Sequence, residues 1–110
     1  MITMEEFDAV DIRVGEIISA EPNTKARNPA FVLTIDFGPG LGTRTSSAQL
    51  TVHYTPETLR GRRILAVVNF PPRRVAGVKS EVLVLGVPDE DGAVVLVAPD
   101  RDSPLGGRLF

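Results

Sequence analysis

The sequence contains no cysteine and no tryptophan, and it has only one tyrosine and one histidine. Without cysteine, the chain has no disulfide scaffold, thiol nucleophile or sulfur-ligated zinc site, which fits a reducing compartment. A lone histidine without patterned partners makes a poor metal site, so we expect neither a metal nor another cofactor. Aromatic residues are 5% of the chain, so the core must consist mainly of valine, isoleucine and leucine. These residues favour strands over helices.

Long apolar runs and nucleotide-binding glycine motifs are also missing from the chain. No run approaches the roughly 18 apolar residues of a membrane span, and the N-terminal residues are acidic, unlike a signal peptide. We therefore expect a cytoplasmic protein without membrane insertion. The sequence has no GxxxxGK[ST] motif, no GxGxxG after a strand, and no nucleophile motif to accompany His53. An enzyme is thus the weakest hypothesis, and we predict no catalytic residue.

Charge is distributed unevenly along the 110 residues, which we interpret as one domain covering residues 1–110. The net charge of −2 argues against a protein that coats nucleic acid through charge alone. Residues 40–80, however, include seven basic residues and one acidic residue, whereas the rest of the chain has five basic and thirteen acidic residues. The basic middle of the chain is therefore the candidate for binding an anionic partner.

The pattern of apolar residues predicts a small all-β domain. Capping signals at Thr3 and Thr55 predict only two short helical turns, near Met4–Asp8 and before Gly61. Six segments read as strands and are separated by turns rich in glycine and proline: VDIRVGEII, AFVLTIDFG, TRTSSAQLTVHY, RRILAVVNF, SEVLVLGV and AVVLVAP. In the first strand the alternation slips at Gly15, which predicts a β-bulge there. A five-stranded Greek-key OB-fold barrel with extra strands fits this count, as does an SH3-like barrel or a sandwich.

The segment NFPPRRVAGVKSE, residues 69–81, combines turn signals with positive charge. Pro71 and Pro72 lack backbone N–H groups, so the chain must leave the sheet there, and Gly77 permits a tight return. Three cations lie on the predicted loop: Arg73, Arg74 and Lys79. Arginine's planar fork suits phosphates and stacked bases, so the segment reads equally well as a solvated connection or as a binding site.

Several uncharged or acidic residues accompany these cations, and each has two interpretations. The Asn69 amide either ties down the loop's backbone or meets a ligand. Glu81, beside Ser80, either forms an ion pair with an arginine of the loop or is ordinary surface charge. Ser46, Ser47 and Gln49 of SSAQ are either solvent-facing strand residues or neutral donors to phosphates and bases.

Two aromatic residues adjoin the basic segment, Tyr54 and Phe70. Bases of single-stranded nucleic acid stack on aromatic rings, so these two residues are possible base-stacking platforms. Most aromatic residues of the chain are expected in the core.

The blocks VDIRVGEI, FVLTIDFG, SSAQLT, LRGRRILAVVNFPPRRVAGVKSEVLVLG and VVLVAPD together resemble the tRNA-binding domain family, most closely the CsaA-type secretion chaperones. The resemblance spans nearly the whole chain. It implies a non-enzymatic, homodimeric OB-fold that binds tRNA and, in the CsaA branch, unfolded or exported polypeptides. The alternative it leaves is a tRNA-binding accessory module that acts in trans on an aminoacyl-tRNA synthetase.

The resemblance also implies which positions face tRNA. The residues that match the family's motif segments are Ser46, Ser47, Gln49, Asn69, Arg73, Arg74, Lys79, Ser80 and Glu81. The dimer in this family uses segments outside the barrel, so residues 4–7 and the tail after Ala98 are the implied contributors.

Overall fold

A computed structural model describes all residues, 1–110, and contains two short helices, as the capping signals predict. Helix α1 is Met4–Asp8 and helix α2 is Pro56–Leu59. Each helix begins with a reciprocal cap. In α1, the Thr3 hydroxyl accepts from the Glu6 amide at 3.2 Å, and the Glu6 carboxylate accepts from the Thr3 amide at 2.9 Å. No helix of the protein has the length and apolar character needed to cross a membrane.

The rest of the structure is β, in nine strands, so the all-β prediction is confirmed. The strands are β1 Ile12–Pro22, β2 Phe31–Asp36, β3 Thr43–Ala48, β4 Arg63–Val67, β5 Arg73–Val75, β6 Val78–Ser80, β7 Leu83–Val84, β8 Gly86–Pro88 and β9 Val94–Leu96. Five of them form one antiparallel sheet in the order β3-β2-β1-β4-β7, a nearly closed OB-like barrel. The order 4-1-2-3 within it is that of a Greek key.

Strand β1 is long because it serves both halves of the barrel: its first half pairs with β4 and its second half with β2. The predicted bulge exists, but at Ile18 rather than at Gly15, since the register shifts between Ile17 and Ser19. Gly15 has a different role. A Cβ there would lie 2.6 Å from Ile35 Cγ2 and 2.7 Å from the Phe37 ring, so glycine allows these core side chains to approach the backbone.

The core fills the barrel with aliphatic side chains, as the composition predicts. Its fully buried members include Ile17, Leu33, Ile35, Phe37, Leu50, Leu59 and Ile64. Alternation along β2 places Phe31, Leu33 and Ile35 inside, while the residues between them are partly exposed. The buried Leu59 shows that α2 packs against this core.

Two of the predicted strands differ most from the structure. The third strand ends at Ala48 rather than at Tyr54, because Leu50 enters the core and the chain turns at residues 51–53. The fifth segment, SEVLVLGV, is divided among β6, β7 and β8, which pair with three different partners. The C-terminal tail lies along the start of β1, with the Leu109 amide donating to the Ile12 carbonyl at 2.9 Å.

Candidate nucleic-acid interface

The basic segment forms a hairpin, not the irregular loop that the sequence suggested. Strands β5 and β6 pair so that Arg73 lies opposite Ser80 and Arg74 lies opposite Lys79. At the turn, Ala76 and Gly77 both have positive φ, 47° and 81°, as a two-residue type I′ connection requires. The prediction that the chain leaves the sheet at the two prolines and returns at Gly77 is correct, but the segment between them is regular β structure.

The hairpin separates the two adjacent arginines. Neighbouring residues of a strand point to opposite faces, so Arg73 shares a face with Ser80, and Arg74 shares the other with Lys79. The Ser80 face is turned toward β3, because the Ser80 hydroxyl accepts from the Ser47 amide at 3.3 Å. Arg74 instead donates to the Gly77 carbonyl of its own hairpin at 3.2 Å. The two arginines therefore present their charge in different directions.

Three of the predicted site residues close the barrel. The Ser46 hydroxyl is 1% exposed and donates to the Val82 carbonyl at 3.0 Å. Glu81 holds Thr45 twice: its amide donates to the Thr45 carbonyl at 2.8 Å, and its carboxylate accepts from the Thr45 amide at 3.0 Å. Together with the Ser80 bond, these contacts join β3 to residues 80–82 where strand pairing stops. Neither interpretation offered for Glu81 is correct, since it forms no ion pair and its carboxylate holds the backbone.

Ser47 and Gln49 meet Arg73 at a recess of about 320 Å³ between β3, the hairpin and the loop that joins β1 to β2. That loop contributes Arg27 and Asn28 to the same recess. The site thus combines two arginines with hydroxyl and amide groups that carry no charge. Such a set can contact phosphate and sugar oxygens together.

Five cations surround this region, and we call them the basic cluster: Lys25, Arg27, Arg73, Arg74 and Lys79. None of them forms an ion pair; the ion pairs of the protein involve Arg13, His53, Arg63, Arg101 and Arg108. Lys25 lies beside the hairpin turn, since a Cβ on Gly77 would be 3.0 Å from its Cδ. Sequence reasoning missed Lys25 and Arg27, although NTKARNP between two strands carries two cations and no acid.

The Asn69 amide is engaged by the backbone. Its oxygen accepts from the Asp11 amide at 3.0 Å and its nitrogen donates to the Ala9 carbonyl at 2.8 Å. Of its two interpretations, the structural one matches these contacts, which join the end of β4 to the segment after α1.

The two aromatic residues next to the basic segment differ in accessibility. Tyr54 packs against the core, its hydroxyl accepts from the Leu96 amide at 3.0 Å, and the Arg62 guanidinium lies 5.2 Å from its ring centre. Phe70 is 53% exposed and lines a cavity of about 480 Å³ at the root of the hairpin. Only Phe70 therefore offers a free ring next to the basic cluster.

His53, the lone histidine, bonds to Asp89 at 2.6 Å and joins the turn after β3 to the β8–β9 hairpin. The hydrogen bond from His53 holds the pKa of Asp89 below its usual value, and the Ala93 amide contributes in the same direction. No group of three or more histidine, aspartate and glutamate side chains is arranged to bind a metal ion.

A family model described as "Putative tRNA binding domain" matches residues 12–108. Among curated proteins, the chain is 36% identical over 109 residues to a methionine–tRNA ligase of Flavobacterium johnsoniae and 32% identical over 108 residues to that of Pyrococcus furiosus. These alignments cover 99% and 98% of the chain but only 15% and 14% of the two ligases. The chain therefore spans about a seventh of the length of these relatives.

Solved structures match over the entire chain. The crystal structure of the chaperone CsaA of Bacillus anthracis superposes with a TM-score of 0.93 at 52% identity, covering 100% of this chain and 99% of that one. The CsaA chaperone of Picrophilus torridus gives 0.92 at 44% identity, with complete coverage of both chains. A protein of Pyrococcus horikoshii described as related to MetRS gives 0.87 at 28% identity, covering 100% and 98%.

Proposed function

Because the chain belongs to the tRNA-binding domain family, we propose that it binds tRNA without catalysing a reaction, and that the basic cluster is the contact surface. The observation that carries this proposal is that five neighbouring cations have no carboxylate partner. Cations that are neutralised by carboxylates contribute little to phosphate binding, whereas unpaired cations displace counterions from the phosphates that they contact. The net charge of −2 is compatible with this, since the acidic residues lie mainly elsewhere in the chain.

The residues that match the family's motifs divide into two roles. Arg73, Arg74 and Lys79 supply charge to the phosphates, and Ser47 and Gln49 add neutral hydrogen bonds beside Arg73. The side chains of the remaining members each form at least one hydrogen bond with the protein backbone: Ser46, Asn69, Ser80 and Glu81. They hold β3, the hairpin and the end of β4 in the arrangement that the contacting residues need.

The second part of the proposal is that the chain is a homodimeric chaperone that also binds unfolded or exported polypeptides. Its likeness to two CsaA chaperones over the whole chain supports this activity. Large apolar side chains at both termini support the dimer. Met4 is 71% exposed on α1, and the tail ends in a fully exposed Phe110. The Arg108 guanidinium donates to the Asp8 carbonyl at 2.7 Å, so the two termini lie on one side of the molecule.

A different function is favoured by a separate observation. Methionine–tRNA ligases contain a segment similar to the entire chain. A free copy of such a segment is suited to deliver tRNA to an aminoacyl-tRNA synthetase in trans, with no affinity for unfolded polypeptides. This accessory module is the alternative to the chaperone, and both share the same tRNA-binding surface.

One experiment tests the shared surface. The tRNA affinities of the wild type and Arg73→Ala are compared with that of Arg101→Ala, whose side chain is 93% exposed in the tail. Loss of a charge-assisted phosphate contact lowers affinity roughly tenfold or more. We expect that loss for Arg73→Ala and wild-type affinity for Arg101→Ala. Equal affinities for all three proteins would refute the proposed surface.

A second experiment separates the chaperone from the accessory module. A chemically unfolded client is diluted into buffer, and its aggregation is followed by light scattering with stoichiometric amounts of the protein. The chaperone proposal predicts delayed aggregation. The accessory module predicts no delay, but a lower KM for tRNA when the protein is added to a methionine–tRNA ligase. A solution mass near the 11.8 kDa of one chain would contradict the dimer.

A further inference from the structure

A cavity of about 480 Å³ lies at the root of the β5–β6 hairpin, and Arg73 lines both this cavity and the recess that contains Ser47 and Gln49. The side chains that line it include Phe70, Pro71, Pro72 and Leu83. Its volume lies within the range of about 300–1,000 Å³ that is typical of small-molecule sites. The fold itself gives no role to this cavity.

Two large apolar side chains in the wall of the cavity are strongly exposed to solvent. Phe70 is 53% exposed and Leu83 is 51% exposed. The two prolines restrict the backbone conformation at and after Phe70, whose ring stays accessible to solvent. An accessible ring is the platform on which an unpaired base stacks.

The polar side chains that line the cavity are Arg73, Ser80 and Glu81, and the two charged ones do not pair with each other. One carboxylate oxygen of Glu81 accepts from the Thr45 amide, and its second oxygen accepts no hydrogen bond from the protein. An ionised carboxylate only accepts hydrogen bonds. Among five unpaired cations, a carboxylate of this kind weakens phosphate binding unless it receives an N–H group.

We propose that this cavity binds one unpaired base of an RNA strand, with Phe70 stacking on the base and the free Glu81 oxygen accepting an N–H from its Watson–Crick edge. Every nucleobase has such an N–H, and pairing in a duplex occupies it, so the carboxylate distinguishes unpaired from paired bases without choosing among them. Arg73 lines both this cavity and the recess, so its guanidinium is available to the phosphate that follows or precedes the base. The inference rests on the proposed tRNA-binding function and adds single-stranded nucleotides as the feature recognised.

The experiment compares two RNA decamers of equal charge, one of uridylate and one abasic along its whole length. We expect the wild type to bind uridylate roughly ten- to a hundredfold more tightly, as one stacked base provides. In Phe70→Leu, which keeps an apolar side chain at an exposed position, the preference should largely disappear. Equal binding of both decamers by the wild type, with salt-dependent tRNA binding intact, would overturn the cavity assignment and leave the tRNA-binding proposal standing.

The role of Glu81 is tested with N3-methyluridylate, in which the N–H is blocked. Glu81→Gln retains an oxygen for the Thr45 amide and replaces the free acceptor by a donor. We expect methylation to weaken wild-type binding severalfold and to have no effect on Glu81→Gln. An equal effect of methylation on both proteins would overturn the role of Glu81. If Phe70→Leu weakens binding of an apolar peptide but not of uridylate, the ligand of the cavity is a polypeptide and the proposal is wrong.

Discussion

Replacing the two adjacent serines of SSAQ by alanine should affect two different properties of the protein, its stability and its tRNA affinity. Ser46 is 1% exposed and its hydroxyl donates to the Val82 carbonyl, which receives no backbone donor. Ser47 lines the recess beside Arg73, and only its backbone amide is used in closing the barrel. Ser46→Ala should therefore reduce stability and Ser47→Ala should reduce tRNA affinity, although the two positions are neighbours in one strand.

The loss of folding free energy expected for Ser46→Ala follows from the Val82 carbonyl, which is left without a hydrogen bond. Removal of one partner from a buried hydrogen bond costs about 1–3 kcal/mol, because the remaining carbonyl is neither bonded nor hydrated. For a chain of this length, each kcal/mol lowers Tm by about 4 °C. We expect Ser46→Ala to lower Tm by roughly 4–12 °C in thermal unfolding followed by circular dichroism. Its tRNA affinity at 20 °C should stay within about twofold of the wild type.

Ser47→Ala is the matched control, because it removes the same hydroxyl from the next position. Its Tm should change by less than about 2 °C, since no hydrogen bond of the Ser47 hydroxyl stabilises the barrel. Its tRNA affinity should fall several-fold through loss of a neutral phosphate or sugar contact. If Ser46→Ala melts like the wild type, or if Ser47→Ala binds tRNA like the wild type, the division between barrel closure and contact is wrong.

Three further predictions concern other parts of the molecule. Gly15→Ala forces a Cβ to within 2.7 Å of two core side chains and should destabilise by about 1–3 kcal/mol in urea unfolding, whereas Gly40→Ala enters open space and should be neutral. The lowered pKa of Asp89 means that its stabilising contribution is complete above about pH 4 and is lost as pH falls through the folded pKa. The Tm difference between wild type and Asp89→Asn should therefore shrink below pH 4; a constant difference would contradict this. Arg27→Ala and Lys25→Ala should each weaken tRNA binding with unchanged Tm, and wild-type binding by both would remove the β1–β2 loop from the interface.

Features that depend on local sequence could be predicted. Both helix caps, the alternation of β2 and the tight return at Gly77 follow from a few neighbouring residues and were correct. The sequence predicts a loop in place of the hairpin, because Pro71 and Pro72 signal an exit from the central sheet. Two prolines that end one strand do not prevent a separate pair of strands from forming directly after them.

Features that depend on which strands become neighbours could not be predicted from one sequence. Ser46 and Glu81 are 35 positions apart in the chain, and only the closed barrel reveals that both bond across the same seam. Arg27 likewise reaches the recess only because the β1–β2 loop folds beside the hairpin. A charge count along the sequence separates this loop from the basic middle of the chain, whereas the fold brings them together.

The salt dependence of tRNA binding tests the central claim most directly. If the five cations of the basic cluster neutralise phosphates, the logarithm of the affinity should fall with the logarithm of salt concentration with a slope of about −3.5 to −4.5. Each substitution within the cluster, beginning with Arg73→Ala, should reduce the slope by about one. A slope near zero, or the same slope in the wild type and the variants, would contradict tRNA binding through this surface.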